Sequence, residues 1–306
     1  PGHTLIYRTD SHSYRDLPIK MAEFGLVHRH ELSGVISGLF RVRSFTQDDA
    51  HIFCTKEQIE EQIEELIELA KEVYTAFGFE YHIELSTKPE KAMGDAKLWE
   101  LAESTLKKVL DKKKMKYTLN EGDGAFYGPK IDYHLKDAIG RTWQCGTIQL
   151  DFQMPEKFDL TYEGSDSKKH RPVMLHRTIL GSVERFMGIL IEHYAGKFPL
   201  WLSPEQARIV VVADAYNEYA NSVAEELKSA GVRATVDTRS ESISKKVREA
   251  QLAYVPFIIT VGEKEKEAKT LAIRTLDGKV KFGMKVDEFV AIVKKNVEDK
   301  TISVSL

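Results

Sequence analysis

Arg41-Val-Arg-Ser-Phe-Thr-Gln-Asp-Asp-Ala-His51-Ile-Phe-Cys54 is the stretch on which the fold turns. Read as one strand over 40–54, side chains alternate between faces. One face then carries Arg41, Arg43, Phe45, Gln47, Asp49 and His51; the other carries Val42, Ser44, Thr46, Asp48, Ala50 and Ile52. A half-buried strand ordinarily sets apolar residues against plain solvated charge. Here the polar face joins cations, a ring, an amide, a carboxylate and an imidazole, so it reads either as a solvated face or as the floor of a site for a ligand with an anionic end. His51 and Cys54 are three residues apart and face opposite ways, which argues against a zinc pair; Cys54 reads as a small core residue.

Downstream, Thr55 and Gln58 form a capping box for a helix whose stripe is Ile59, Ile63, Leu66, Ala70, Val73 and Phe77, and Gly78 stops it. Phe79, Tyr81, Ile83 and Leu85 alternate as a strand, and a second helix over about 95–112 buries Trp99, Ala102, Leu106, Val109 and Leu110. Runs over 124–135 and 142–152 read as further strands, with a closing helix at about 181–194. Strands in blocks around two helices predict an α+β unit with a largely antiparallel sheet. Pro199 and Pro204 bracket a boundary, which gives segments 1–199 and 200–306. In the second segment, strands at 208–213, 232–236 and 256–261 alternate with helices, followed by a hairpin around Asp277-Gly278 and a helix at 286–296. That alternation predicts an α/β unit with a mainly parallel sheet.

Composition excludes whole classes. With 42% hydrophobic and 30% charged residues, the 306-residue chain can bury two cores. No run reaches the ~18 apolar residues of a membrane span, and Pro1-Gly-His3 shows no secretory signal. Two cysteines exclude a disulfide scaffold and fit a reducing, cytoplasmic setting. A net charge of −3 leaves nucleic-acid binding to local patches.

Three other segments carry polar chemistry. In Trp143-Gln-Cys-Gly-Thr-Ile-Gln-Leu-Asp-Phe152, Cys145, Thr147, Gln149 and Asp151 share a face, and Tyr127, Lys130 and Asp132 precede them. His28-Arg-His-Glu31 reads as a short strand with Arg29 and Glu31 facing one way, suited to phosphate and to an amino group. Gly181-Ser182 reads as a helix start with Arg185 one turn in, a position that is either an anion site or a solvated charge. His176 before it reads as a structural histidine or, with His51, as a ligand.

Together these motifs resemble threonyl-tRNA synthetases, a family of class II aminoacyl-tRNA synthetases, over essentially the whole chain. Pro1-Gly-His3, Ser13-Tyr-Arg-Asp-Leu-Pro18, Met21-Ala-Glu-Phe24, the Arg41–Phe53 stretch, Phe126-Tyr-Gly-Pro-Lys130 and Trp143-Gln-Cys-Gly-Thr147 carry the likeness. It implies ATP-dependent activation of threonine and its transfer to tRNA(Thr). Arg29, Arg185 and Lys130 are then catalytic. Arg29, Glu31, Arg41, Phe45, Gln149 and Arg185 take ATP with Mg²⁺. Gln47, Asp49, Tyr127, Lys130, Cys145, Thr147 and Ser182 take the amino acid. His51 and His176 hold Zn²⁺, and Asp49 accepts the threonine hydroxyl. The third zinc ligand, a cysteine, together with motif 1 and an editing region, is expected before Pro1, so the N-terminus reads as truncated. Arg248, Glu265 and Arg274 match positions that meet the tRNA anticodon loop, Arg239 sits nearby as a further tRNA contact, and Tyr254 replaces a family arginine. A homodimer without membrane association is implied. Two rivals remain: an inactive synthetase-like RNA-binding or regulatory protein, and a paralogous synthetase for proline.

Overall fold

The computed structural model describes residues 1–303 and 306, and within it the chain divides into two compact units, Pro1–His193 and Tyr194–Leu306. Among the described residues no helix is long and apolar enough to cross a membrane.

The first unit runs α1 (Gly2–Arg8), β1 (Ile19–His28), β2 (Ser44–Cys54), α2 (Ile59–Ala76), β3 (Tyr81–Ser86), α3 (Ala96–Lys112), β4 (Tyr117–Asn120), β5 (Lys130–Lys136), β6 (Thr142–Asp151), α4 (Gln153–Lys157), β7 (Tyr162–Glu163), β8 (Lys169–His170), β9 (Val173–Thr178) and α5 (Val183–Tyr194). A seven-stranded sheet in the order β1-β2-β9-β6-β5-β3-β4 forms its centre. Every pairing in it is antiparallel except β3 with β4, so the predicted α+β arrangement holds.

Why one sheet face stays polar follows from how the other is filled. The α2 stripe, Ile59, Ile63, Leu66, Ile67, Ala70 and Tyr74, and the α3 stripe, Ala102, Leu106, Val109 and Leu110, bury against Ile83, Leu85, Ile131, Tyr133, Leu135 and Ile148. Strand period 2 then sends the intervening residues to the opposite face. The α2 start is the expected capping box, with the Thr55 N–H donating to Gln58 Oε1 at 2.9 Å, and it opens through a short 3₁₀ turn. Asp95 caps α3 by accepting from the Lys97 N–H at 3.0 Å.

Several strand limits differ from expectation. β2 begins at Ser44 rather than near 40, because the N–H groups of Phe40 and Arg41 both donate to Ser37 O and close a turn. Arg41 therefore reaches the site from a turn. The 124–135 run is strand only from Lys130. Before it, Pro129 cannot donate to a ladder. Gly128 lies so close to Leu150 O that an added Cβ would sit 1.9 Å away, and this approach lays Tyr127 over β6. The short strand expected at 28–31 is instead the end of the ten-residue β1, with Arg29 and Glu31 just past it.

The second unit runs β10 (Ala207–Val211), α6 (Asn217–Ser229), β11 (Ala234–Asp237), α7 (Ile243–Leu252), β12 (Phe257–Val261), α8 (Glu263–Ala268), β13 (Leu271–Thr275), β14 (Val280–Met284) and α9 (Val286–Glu298). Its sheet has the order β11-β10-β12-β13-β14. The α/β half, β11-β10-β12, is parallel, and the hairpin predicted at Asp277-Gly278 adds β13 and β14 antiparallel. α6 and α9 cover one face through Ala220, Val223, Leu227, Phe289 and Val293, while Ala250 of α7 packs with Val210, Val255 and Ile258 on the other.

Candidate active site

The polar sheet face of the first unit is laid out in transverse rows by the strand register. One row pairs His51 with His176, His176 with Gln149, Gln149 with Lys130 and Lys130 with Ser86. The next pairs Thr178 with Thr147, Thr147 with Asp132 and Asp132 with Glu84, and Asp49 lies on the same side of β2. A cleft of about 340 Å³ opens over these rows. It is lined by Arg29, Glu31, Arg41, Phe45, Gln47, Asp49, His51, Tyr127, Cys145, Thr147, Gln149, His176, Ser182 and Arg185, residues separated by up to 156 positions and brought together only by the fold. Of the expected residues of this unit, Lys130 alone is not in the lining.

One end of the cleft is cationic. Arg29 lies over the Phe45 ring at 5.0 Å, and Arg41 Nε pairs with Glu31 Oε2 at 3.2 Å. Arg185 is braced from two sides, donating from Nε to Phe40 O at 2.8 Å and from Nη1 to Gln144 O at 2.9 Å, above the Trp143 ring. Burial first, then the like charges of Arg41 and Arg29, lower the Arg185 pKa. Arg185 thus lies close enough to Arg41 and Arg29 to feel their charges.

The other end is built of imidazoles. The His51 and His176 rings meet edge-on with centroids 4.6 Å apart. Asp151 is fully buried, accepts from the N–H groups of Gln153 and Met154, and points Oδ2 at His176 Nε2, 2.9 Å away. His51 Nδ1 meets His3 Nδ1 at 2.7 Å and lies 3.8 Å from Asp49 Oδ2. Burial, followed by the neighbouring His176 and His3 rings, pushes His51 down to about 3. Asp49 is raised, by burial above all. Tyr127 donates to Gln149 Oε1 at 2.6 Å, and burial raises its hydroxyl to about 12.

Between the two ends, a β-bulge alters the expected alternation. Asp132 pairs with Thr147 but His134 with Gln144, so Cys145 and Gly146 together oppose Tyr133. Gln144 and Thr147, three residues apart, consequently share a face and both donate to Asp132 Oδ1, at 2.6 and 3.0 Å. Cys145 sits beneath, within the core cluster, and burial pushes its thiol up to about 12. Lys130 is buried beside Asp132, Nζ to Oδ2 2.5 Å, with Asp123 at 3.3 Å. Asp132 is likewise outside the lining, and its Oδ1 accepts from Gln144 and Thr147, which do line the cleft.

Residues missed in the sequence explain how α5 is held. Asp48, on the supposedly plain face of β2, is buried and accepts from the N–H groups of Ile179 (2.8 Å), Leu180 (3.1 Å) and Gly181 (2.9 Å), with Arg177 Nη1 at 3.3 Å. Burial pushes its carboxyl up against the pull of those donors. Gly181 has φ +72°, and a Cβ there would lie 2.3 Å from Cys145 O. Ser182 then caps α5 by accepting from the Arg185 N–H at 3.1 Å. No local pattern signals Asp48, since all its partners lie about 130 residues away.

In the second unit the four expected tRNA contacts are spread out. Arg239 follows β11 and is paired with Asp237 and Glu249, both at 2.6 Å. Glu265 is committed to capping α8 by accepting from the Gly262 N–H at 3.0 Å. Arg248 is exposed on α7. Arg274 pairs in register with Ile258, near the opposite end of β12 from Glu265, and donates to Gly278 O at 3.1 Å.

Residues 1–194 match the family described as tRNA synthetase class II core domain (G, H, P, S and T), and residues 206–296 the anticodon binding domain family. A threonine–tRNA ligase of Desulforapulum autotrophicum is 58% identical over 99% of this chain and 48% of its own length. One from Desulfatibacillum aliphaticivorans is 59% identical over 98% of this chain and 47% of its own. This chain therefore spans about half the length of these relatives. The crystal structure of the RNA binding domain of threonyl-tRNA synthetase from Cryptosporidium parvum superimposes with a TM-score of 0.93 at 42% identity, covering 100% of this chain and 76% of that one. A prolyl-tRNA synthetase from the same organism shares the fold, with a TM-score of 0.69 at 18% identity over 97% of this chain and 57% of its own.

Proposed function

This chain belongs to the threonyl-tRNA synthetase family of class II aminoacyl-tRNA synthetases, and from that membership we propose that it activates threonine with ATP and transfers it to tRNA(Thr). The observation that carries the reading is a single cleft with three arginines at one end and two imidazoles beside a carboxylate at the other. Such a cleft suits a polyanion lying against a small polar amino acid. Arg29, Arg41 and Arg185 take the triphosphate of ATP, which enters with Mg²⁺ as part of the substrate, its ion held mainly by phosphate oxygens. Glu31 and Phe45 take the adenine. The threonine carboxylate attacks the α-phosphorus, and pyrophosphate leaves. The protein contributes positioning and charge neutralisation to that step, without a covalent intermediate on the chain. Gln47, Tyr127, Thr147, Gln149 and Ser182 shape the amino-acid end, with Lys130 acting through Asp132.

The residues present fit a zinc ion in part. Among the described residues the hydrogen bonds of the two rings run through His51 Nδ1 and His176 Nε2, and the buried Asp151 orients His176 as carboxylates orient metal-binding histidines. These two do not belong to a three-ligand cluster among the described residues. Bound there, zinc would supply selectivity for an amino group next to a hydroxyl. Asp49, 3.8 Å from His51, accepts the hydroxyl proton and so separates threonine from isosteric valine.

Arg239, Arg248, Glu265 and Arg274 are assigned to the tRNA anticodon arm, supported by the family match over 206–296. A homodimer is supported by the edge strand β1, which exposes Phe24 (77%) and Leu26 (66%). Two buried free thiols, Cys54 and Cys145, support a cytoplasmic setting.

The deciding experiment is pyrophosphate exchange by the 306-residue chain with threonine, serine, valine and proline in turn. Threonine-dependent exchange is expected. Exchange with none of them would favour the inactive RNA-binding rival, and exchange with proline the paralogue. In the same assay, Asp49→Ala lowers the threonine-over-valine ratio of kcat/KM by about 10–100-fold, the scale of one hydroxyl-reading contact. The KM for ATP stays within about 2-fold. A collapsed ATP affinity with intact selectivity would move Asp49 out of the amino-acid end.

A further inference from the structure

Beyond the cleft, the polar row continues across β5 to β3, and there it changes chemistry. His82 and His134 are register partners, and Glu84 lies two residues along β3 on the same face. The rings of His82 and His134 stack with centroids 4.8 Å apart and planes 19° from parallel. His82 Nε2 lies 3.5 Å from Glu84 Oε1, and His134 Nε2 lies 3.4 Å from Glu84 Oε2. The three ligand atoms all fall within 4.8 Å of one another, a property no other set of histidine, cysteine or carboxylate residues has among the described residues. None of the three lines the cleft.

Two features separate this cluster from an ordinary surface ion pair. His134 Nε2 is buried and has no hydrogen-bond partner, although it faces an acceptor. A buried ring nitrogen without a partner is costly unless something else takes its lone pair. Glu84 Oε2 further accepts from Asn120 Nδ2 at 3.0 Å, which fixes the carboxylate from behind as outer partners fix metal ligands.

We propose that His82, Glu84 and His134 form a divalent transition-metal site of their own, separate from the cleft. With metal–nitrogen and metal–oxygen bonds of about 2.0–2.1 Å, tetrahedral ligands stand about 3.3–3.4 Å apart. The observed 3.4 and 3.5 Å spacings, one to each oxygen of Glu84, are of that size, and the three ligand atoms, all within 4.8 Å of one another, converge on one point by a small side-chain adjustment. Two imidazoles and one carboxylate select Zn²⁺, Co²⁺, Ni²⁺ or Cu²⁺ over the oxygen-seeking Mg²⁺ and Ca²⁺. His82 stands on the exposed rim, so the fourth position opens to solvent and holds water or a small ligand. Occupancy would tie β3 to β5 beside the bulge, because His134 is the register partner of Gln144, a cleft residue.

The test is competition of the intact 306-residue chain with a chromophoric chelator for Zn²⁺, repeated with Co²⁺ and with Mg²⁺. Compared with wild type, His134→Ala, His82→Ala and Glu84→Gln each weaken one bound equivalent of Zn²⁺ by about 100-fold or more, on the scale of lost ligand and outer-shell contacts. The paired variant His51→Ala/His176→Ala retains that equivalent. Because His82 is on the rim, its variant decides the matter if His134→Ala does not fold. Co²⁺ replaces Zn²⁺, and Mg²⁺ at millimolar concentration does not. Equal metal content and affinity in wild type and His82→Ala would overturn the proposal. So would loss of all bound metal on mutating His51 and His176 alone. The assignment of zinc to the cleft fails separately, if wild type binds one equivalent and His82→Ala abolishes it.

Discussion

Arg185→Ala lowers threonine-dependent pyrophosphate exchange by about 10³-fold, while the folded chain loses no more than about 1 kcal/mol. The two halves of that expectation have one cause. Arg185 is held by two backbone carbonyls, Phe40 O and Gln144 O, and stacked on Trp143, so its guanidinium plane is fixed before any ligand arrives. A donor preorganised at a transferring phosphoryl group contributes about 10²–10³-fold, and a guanidinium on phosphoryl transfer as much as 10³–10⁵-fold. In the free protein the same group is lowered in pKa by burial and by Arg41 and Arg29. Removing it relieves that repulsion and offsets part of the two lost hydrogen bonds, each about 1 kcal/mol. Arg185→Lys keeps the charge and loses the fork, and it recovers only part of the rate. Exchange kinetics and denaturant unfolding on the same samples check both halves. Exchange at the wild-type rate would remove Arg185 from the phosphate site.

How far the sequence reveals this arrangement depends on where each residue's partners lie. The α2 and α3 stripes are legible because their partners recur every three or four residues. The β2 face is legible because Gln47, Asp49 and His51 obey period 2 on a continuous strand. β1 is not, because its exposed Phe24 and Leu26 break the inward-apolar rule that identifies a strand. The alternation expected along β6 fails at Cys145 because a bulge between β5 and β6 inserts a residue into the ladder, and a bulge has no fixed residue signature here. Lys130 is grouped with Asp132 in the sequence, yet only the structure shows its ammonium group paired with Asp132 and Asp123 and absent from the cleft lining. The His82–Glu84–His134 cluster joins two strands about fifty residues apart, and neither strand signals it alone.

Asp48 is the strongest instance of a partner hidden by distance, and it carries the last prediction. Asp48→Ala destabilises the first unit by about 3–5 kcal/mol, the usual result of deleting one member of a buried, hydrogen-bonded charge pair. Three backbone N–H groups at Ile179, Leu180 and Gly181 and the Arg177 guanidinium lose their acceptor together. Each buried donor left alone costs about 1–3 kcal/mol before relaxation. Relaxation is restricted at this point, because Gly181 has a positive φ and presses against Cys145 O. For a unit of this size about 2–4 °C of Tm is lost per kcal/mol, so its transition falls by roughly 6–20 °C. The unit from Tyr194 onward has a separate core, and a probe within it reports whether the loss is local. Activity falls further than stability alone requires, since Ser182 and Arg185 follow directly on the freed segment. Asp48→Asn keeps the shape but presents one acceptor oxygen instead of two, and it lies between wild type and Asp48→Ala in both measurements. Unfolding of Asp48→Ala within about 1 kcal/mol of wild type would show that the start of α5 is fixed by its packing, and that the carboxylate is dispensable there.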